Sequence, residues 1–308
     1  MLPTQHLELR KSRRLGEVLN LTFQYLRENS RTLIKSLLYI AGPAILLTGA
    51  LSGTHLFGIS SVLGLRTIVS PFVGTILGIV FGLITSMLVQ GITNQHVRLY
   101  LERNGGEITV DDIWKAIKAD LGRMFAINLS VGLVVGLAFF LYAIALSASD
   151  PGIRFLAFVV IMCPLIYISV PLAFTIPASI QERLNVSQSF ARGFALVRKN
   201  WWNCLGVVMA LGGVGFVISM VFLVPMLMLI ALSDMFNGSA NSERLSVIYA
   251  ICAILAMTLS YLVSLLPTLG VVLQYHNLVE KVDAVGILAR IGTIGESEDE
   301  PEHHSFLS

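Results

Sequence analysis

Six stretches of this chain contain no Asp, Glu, Lys or Arg: 36–65, 67–97, 124–149, 155–181, 200–233 and 245–279. A helix needs roughly 20 apolar residues to cross about 30 Å of hydrocarbon, and it is one of the few structures that satisfies its own backbone there. Each stretch is long enough to hold one span. The predicted fold is therefore all-α, a polytopic membrane protein with six transmembrane helices paired as three hairpins. Composition agrees, because 55% of the 308 residues are hydrophobic and only 13% charged, about half the charged share of a soluble domain.

The bases set the expected orientation. Every Lys and Arg except Lys35, Arg66, Arg154 and Arg244 falls before the first span, between spans two and three, between spans four and five, or after the sixth. By the positive-inside rule that side is cytoplasmic, and both termini lie on it. The same distribution favours contact with anionic lipid headgroups. The first apolar run is too long for a cleavable leader and is read as its own insertion signal. Cys163, Cys204 and Cys252 lie inside apolar runs without paired spacing, which reads as buried inert thiols.

A pattern recurs before each odd-numbered span. "FQYLREN" from Phe23, "WKAIKAD" from Trp114 and "FALVRKN" from Phe194 each place an aromatic, a base four residues on, and an amide or carboxylate two further. The segments carrying it have helical periodicity. The stripes are Leu15, Val18, Leu19, Phe23 and Leu26; then Val110, Ile113, Trp114, Ile117 and Leu121; then Val186, Phe190, Phe194 and Val197. Thr109 with Asp112, and Asn185 with Gln188, have the spacing of capping boxes. Each unit is thus predicted to begin with an interfacial amphipathic helix. On it, ring and base share a face, with Arg27, Lys118 and Arg198 reaching lipid phosphates, and the last polar residue stops the helix and turns the chain into the bilayer. The units run over approximately 12–97, 109–181 and 185–279 within one membrane domain, 1–290. "EKVDAVGILARIG" has the pattern of one more short helix, and 291–308 reads as a disordered acidic tail.

Gly74, Gly78, Gly82 and Ser86 form a small-residue ridge echoed by Gly132 and Gly136, expected to pack helices within the monomer or to make a homodimer face. Pro43, Pro164, Pro171, Pro177, Pro225 and Pro267 interrupt the spans and predict kinks. No ionisable group stands in mid-span, where transporters and membrane enzymes usually keep one. Lys35 is close enough to an edge to snorkel, and His55 reads as interfacial. No phosphate loop, zinc-protease helix, nucleophile elbow or carboxylate pair is present, so no catalytic residue, metal or cofactor is assigned and nothing points to nucleic acid. What remains is a polar set at the base-rich ends of the even spans: Gln90, Asn94 and His96; Gln181 and Glu182; Gln274 and His276. If the hairpins surround a common axis, Glu182, His96 and His276 converge beside the bases as a headgroup or anionic-ligand site; otherwise they dress the interface.

The stretch from Pro171 to Gly206, with Pro177, Glu182, Arg192, Arg198, Trp201 and Trp202, resembles the membrane domain found at the front of some glycerophosphoryl diester phosphodiesterases, and "LGEVLNLTFQYLREN" is similar to its opening helix. The resemblance implies a six-span bacterial inner-membrane protein. It does not bring catalysis, because no counterpart of the phosphodiesterase barrel and its metal-binding His and Glu occurs in the chain. The expected function is that of a non-enzymatic scaffold or accessory factor in envelope or lipid-related processes, with a protein partner or a second copy of the chain as further contacts. The alternative is a transporter or channel for a small anionic or lipid-derived ligand.

Overall fold

The computed structural model describes residues 9, 11–56, 71–236 and 242–283. Among them the regular structure is entirely helical: α1 Leu15–Ser36, a π turn Leu37–Ala41, α2 Gly42–Leu56, α3 Pro71–Glu102, α4 Val110–Leu146, α5 Pro151–Ala173, α6 Thr175–Glu182, α7 Val186–Arg198, α8 Trp201–Phe236 and α9 Ser242–Asp283. Six helical stretches are long and apolar enough to cross a membrane. The chain is a polytopic membrane protein. The acidic tail and most of "EKVDAVGILARIG" lie outside what is described, as do the side chains of His55, Pro225 and residues 242–250.

Local chemistry accounts for the helix ends. Thr109 Oγ1 accepts from the Asp112 backbone N–H at 3.2 Å while Asp112 Oδ2 accepts from the Thr109 N–H at 3.1 Å, closing the predicted box at the start of α4. Asn185 and Gln188 do the same for α7 at 2.9 and 3.2 Å. Such boxes satisfy two backbone donors that a helix start leaves orphaned. Pro43 cannot donate to the Tyr39 carbonyl, and the chain takes up that defect in the π turn immediately before it. Pro171 and Pro177 bracket the break between α5 and α6 at Phe174 (φ −91°, ψ −4°). Pro164 and Pro267 stay inside continuous helices.

The amphipathic starts differ from one another. Only α7 ends where its amide stands: Lys199 and Asn200 form a turn and α8 begins at Trp201. α1 runs on past Asn29 to Ser36, and α4 runs unbroken from Val110 through Asp120 to Leu146, so the expected hinge exists once rather than three times. Asn29 Nδ2 donates to the Tyr25 carbonyl at 3.1 Å, inside its own helix, and Asp120 pairs with Arg123. Neither side chain is left to compete for the backbone.

Helix α9 is the hub, touching α1, α2, α3 and α8, while α4 and α5 form a hairpin that packs on α3 and, through α5, on α7 and α8. The largest core joins Tyr25, Leu33 and Leu37 to Ile92 and Val97 of α3, Ile113 and Ile117 of α4, and Leu269 and Leu273 of α9. Phe174, Leu196, Val197, Tyr275 and Leu278 make a second core under the α5–α6 break. Burial is thus concentrated near the base-rich helix ends. Farther along, Leu133, Leu137, Phe140 and Phe155 are exposed, as lipid-facing side chains should be.

Three sequence expectations change here. The buried face of α1 is Val18, Leu21, Thr22 and Tyr25, whereas Phe23, placed on the predicted stripe, points outward. A Cβ added at Gly78, Gly82 or Gly136 would meet nothing within 4 Å, so these glycines do not pack helices together within the chain. Cys163 is also exposed rather than buried; only Cys204 is fully enclosed.

Candidate functional site

The polar residues at the base-rich ends form three arrangements rather than one. The first is a carboxylate–arginine knot. Arg192 Nε donates to both oxygens of Glu182 at 3.0 Å, and its terminal nitrogen pairs with Asp283. Tyr275 donates its phenolic hydrogen to Glu182. Burial would lower the Arg192 pKa, but the hydrogen bonds it donates to Asp283 and Glu182 outweigh that and hold the guanidinium above its usual value. The knot fastens α6, α7 and α9 together.

The second arrangement is a cavity of about 430 Å³ between α3, α4, the α5–α6 break and α9. It lies where the α4–α5 hairpin stands away from α9. Its polar lining is uncharged: Ser86, Gln90, Asn94, Asn128, Ser169, Thr175, Tyr261, Ser264 and Thr268. Gln90 Nε2 donates to Ser86 Oγ at 3.0 Å and to Asn128 Oδ1 at 3.4 Å. Asn94 Nδ2 donates to the Gln90 carbonyl at 2.8 Å, and the Asn94 carbonyl accepts from Gln181 Nε2 at 3.0 Å. Asn94 is 1% exposed, yet its Oδ1 has no hydrogen-bond partner among the described residues. A buried acceptor left this way costs about 1–3 kcal/mol unless water or a ligand meets it. The broken helix adds to the wall, since Pro177 cannot supply the donor that Ala173, a lining residue, would meet in a continuous helix.

The third arrangement is the platform formed by "RKNWWN". Trp201 stacks on Tyr167 with ring centroids 5.3 Å apart and an interplanar angle of 23°, and Trp202, 79% exposed, stands edge-on to it. Arg198 and Lys199 share this open surface with Asn200 and Asn203. The Trp201 indole N–H donates to the Tyr167 carbonyl at 3.2 Å, the carbonyl that Pro171 cannot serve.

The residues singled out from sequence are therefore dispersed. Arg27 is exposed on α1, Lys118 lies 5.2 Å over the Trp114 ring on α4, and Arg198 belongs to the platform. Glu182 anchors the knot. His96 is enclosed beneath α1, with Nδ1 2.8 Å from the Tyr25 hydroxyl. His276, 7% exposed, meets the Tyr275 ring edge-on. Gln274 Oε1 accepts from Asn277, whose own Oδ1 accepts from the Arg13 backbone at 2.7 Å, so this amide pair ties the segment before α1 to α9. Tyr275, Asp283 and Asn128 were not among the residues chosen from sequence, and Arg192 was noted only for the resemblance, not as a site residue. Glu182 and Arg192 are ten residues apart across a left-handed turn at Arg183, a spacing that no helical periodicity marks.

Compared with protein-family models, curated proteins and solved structures, the chain matches none. The resemblance to the phosphodiesterase membrane domain gains no support from them.

Proposed function

We propose that this protein is a non-enzymatic, membrane-embedded accessory factor in envelope or lipid-related processes that holds the uncharged polar part of a lipid-derived molecule in the cavity beside the α5–α6 break. The observation that carries this reading is the buried, unpartnered Asn94 Oδ1 on the wall of an uncharged cavity of about 430 Å³. That volume falls in the range of ligand pockets, about 300–1,000 Å³. Amides and hydroxyls offer both donors and acceptors, which suits hydroxyl or amide groups on an amphiphile. A bare ion would meet no opposite charge there. The distribution of bases supports a cytoplasmic location for the base-rich side and both termini, and a bacterial inner membrane is part of the same proposal.

The test is to extract the protein in native nanodiscs and identify retained lipids by mass spectrometry, comparing it with Asn94→Leu and Gln90→Leu. Loss of one retained species in both variants supports the reading; an unchanged lipid profile overturns it. A second reading, transport, draws on the helix break, because discontinuous spans form substrate sites in many transporters. Saturable flux of a lipid precursor into proteoliposomes, abolished by Asn94→Leu, favours it over simple binding.

A further inference from the structure

We propose that a second site, independent of the intramembrane cavity, binds a phosphate group at the boundary between headgroups and hydrocarbon. It is a cleft of about 390 Å³ between the end of α3 and the start of α4, reached also by Arg183 from the turn after α6. Sequence places its arginines at one level. Arg98 is the first charged residue after the run 67–97, Arg123 the last before 124–149, and Arg183 stands two residues beyond 155–181. Three different spans thus deliver a guanidinium to the same membrane boundary, and the fold brings all three to one cleft.

The cleft carries more positive charge than it neutralises. Asp120 pairs with Arg123 and lies 3.6 Å from Arg98, whose Nε meets Glu102 at 2.9 Å. These carboxylates hold Arg98 and Arg123 in position. Lys115 and Arg183 also line the cleft and form no ion pair with any described residue. Two cations remain in excess, which matches the one to two negative charges of a phosphate ester.

Two further atoms point to a ligand. Gln95 is fully buried and lines the cleft; its Nε2 donates to Asp120 at 2.7 Å, but its Oε1 accepts from nothing described. Arg123 donates from one terminal nitrogen to the Leu184 carbonyl at 3.1 Å, which fastens the Arg183 turn to α4, yet its buried Nε has no partner. An open acceptor beside an open donor fits a phosphate that also carries a hydroxyl, on phosphorus or on a glycerol. A tetrahedral phosphate, with three or four oxygens, can accept from donors arriving on three separate helices; a carboxylate has only two oxygens.

Arg183 adds a backbone argument. It closes α6 in the left-handed region, φ 54°, a position where helices usually place glycine. An arginine there is strained, and strain retained where the side chain pairs with no described residue points to use of that side chain.

That feature supplies the test. Arg183→Gly removes the charge while providing the residue best suited to the backbone, so the melting temperature should hold or rise. Lys115→Gln removes an exposed base with no fold contribution at stake. Lys199→Gln, at the far end of α7, makes the same charge change away from the cleft. Each variant is placed in phosphatidylcholine nanodiscs and titrated calorimetrically with inorganic phosphate and with glycerol 3-phosphate. In parallel arms the discs contain phosphatidic acid, and its retention is counted by native mass spectrometry. Arg183→Gly and Lys115→Gln should each weaken binding about fivefold, the worth of one base near an anionic group, and Lys199→Gln should not. Response in the soluble arms identifies a free phosphate ester as ligand; response confined to phosphatidic acid identifies a headgroup. Absence of binding in every arm, or an equal loss in Lys199→Gln, overturns the proposal.

Discussion

Trp201 offers a direct test of how a proline defect in a span is repaired. In a regular helix the N–H of residue 171 would donate to the Tyr167 carbonyl, and proline has none. The Trp201 indole reaches across from α8 and donates to that oxygen at 3.2 Å. Trp201→Phe keeps an aromatic ring against Tyr167 but removes the donor. A hydrogen bond of this kind contributes about 0.5–1.5 kcal/mol, and interhelical bonds in membranes average about 0.6. Because the bond is open on its outer side and interhelical bonds in membranes fall low in that range, its lower half applies. Trp201→Phe should therefore reduce stability by about 0.6–1 kcal/mol from the bond alone, with a further loss from the smaller ring.

The ring term cancels in a double-mutant cycle. Pro171→Ala restores an N–H that can serve the Tyr167 carbonyl from within α5, so Trp201→Phe in that background should cost about 0.6 kcal/mol less than in the parent. Equilibrium unfolding in mixed dodecyl maltoside and dodecyl sulfate micelles, followed by far-ultraviolet circular dichroism, measures all four proteins. If the two costs agree within about 0.2 kcal/mol, the indole is packing against α5 and is not replacing the missing donor.

Gly193 packs against the same break: a Cβ there would lie 3.0 Å from the Pro171 carbonyl oxygen and 3.3 Å from Thr175 Cγ2. Gly193→Ala should sit near balance, overlap against the gain in helix propensity, while Gly193→Leu should lose about 3 kcal/mol in the same unfolding assay. Arg192→Gln leaves Glu182 and Asp283 without their shared cation and should cost about 1–2 kcal/mol, discounted for partial exposure, with the loss shrinking as salt rises; a salt-independent loss would assign the side chain to packing. For topology, cysteines at Glu107 and Lys199 should resist an impermeant maleimide in intact cells, while those at Ser61 and Ser149 should label. External labelling at Lys199 alone would reverse the third unit.

The spans were legible because a run without charge has few other places to go, and the caps were legible because Thr109 with Asp112 and Asn185 with Gln188 act over three residues. Register within the amphipathic starts was not. A helix touching both lipid and protein is apolar on two faces, and hydrophobic periodicity does not distinguish them: Phe23, on the expected stripe, is 44% exposed, while Tyr25, which that stripe leaves out, is fully buried. Tyr25 is enclosed because its hydroxyl has a specific partner in His96, 71 residues away. The polar set at the even-span ends is visible in the sequence, but its division among the knot, the cavity and the Gln274–Asn277 pair that holds the segment before α1 depends on which helices α9 touches. For a related reason the glycine ridge does not draw helices together within the chain along its length. Small residues allow close approach without requiring it, and at Gly78 and Gly82 no neighbour takes the space.

Charge and cavity occupy different depths, and the helix geometry gives the separation. Asn94 and Arg98 are one turn apart on α3, about 6 Å of rise, and Ser86 lies about 18 Å from Arg98 along the same helix. Arg123 precedes Asn128 by five residues on α4, and Glu182 follows Pro177 by five on α6. Along three helices, then, the cavity starts a turn or so inside the last charged residue and extends inward, lined by groups that hydrogen-bond without charge. An anionic head entering it would lose its hydration and find no cation within, whereas one remaining at the boundary meets Arg98, Arg123 and Arg183. The cavity therefore suits a polar but uncharged segment and the cleft a phosphate, each as a site of its own. This is why the cavity reading calls for a lipid-derived amphiphile rather than a free anion. Asn94→Leu should accordingly alter which lipid is retained, while Arg183→Gly should alter how strongly phosphate is held. Those two effects should combine independently in the double variant, because the two sites share no lining residue.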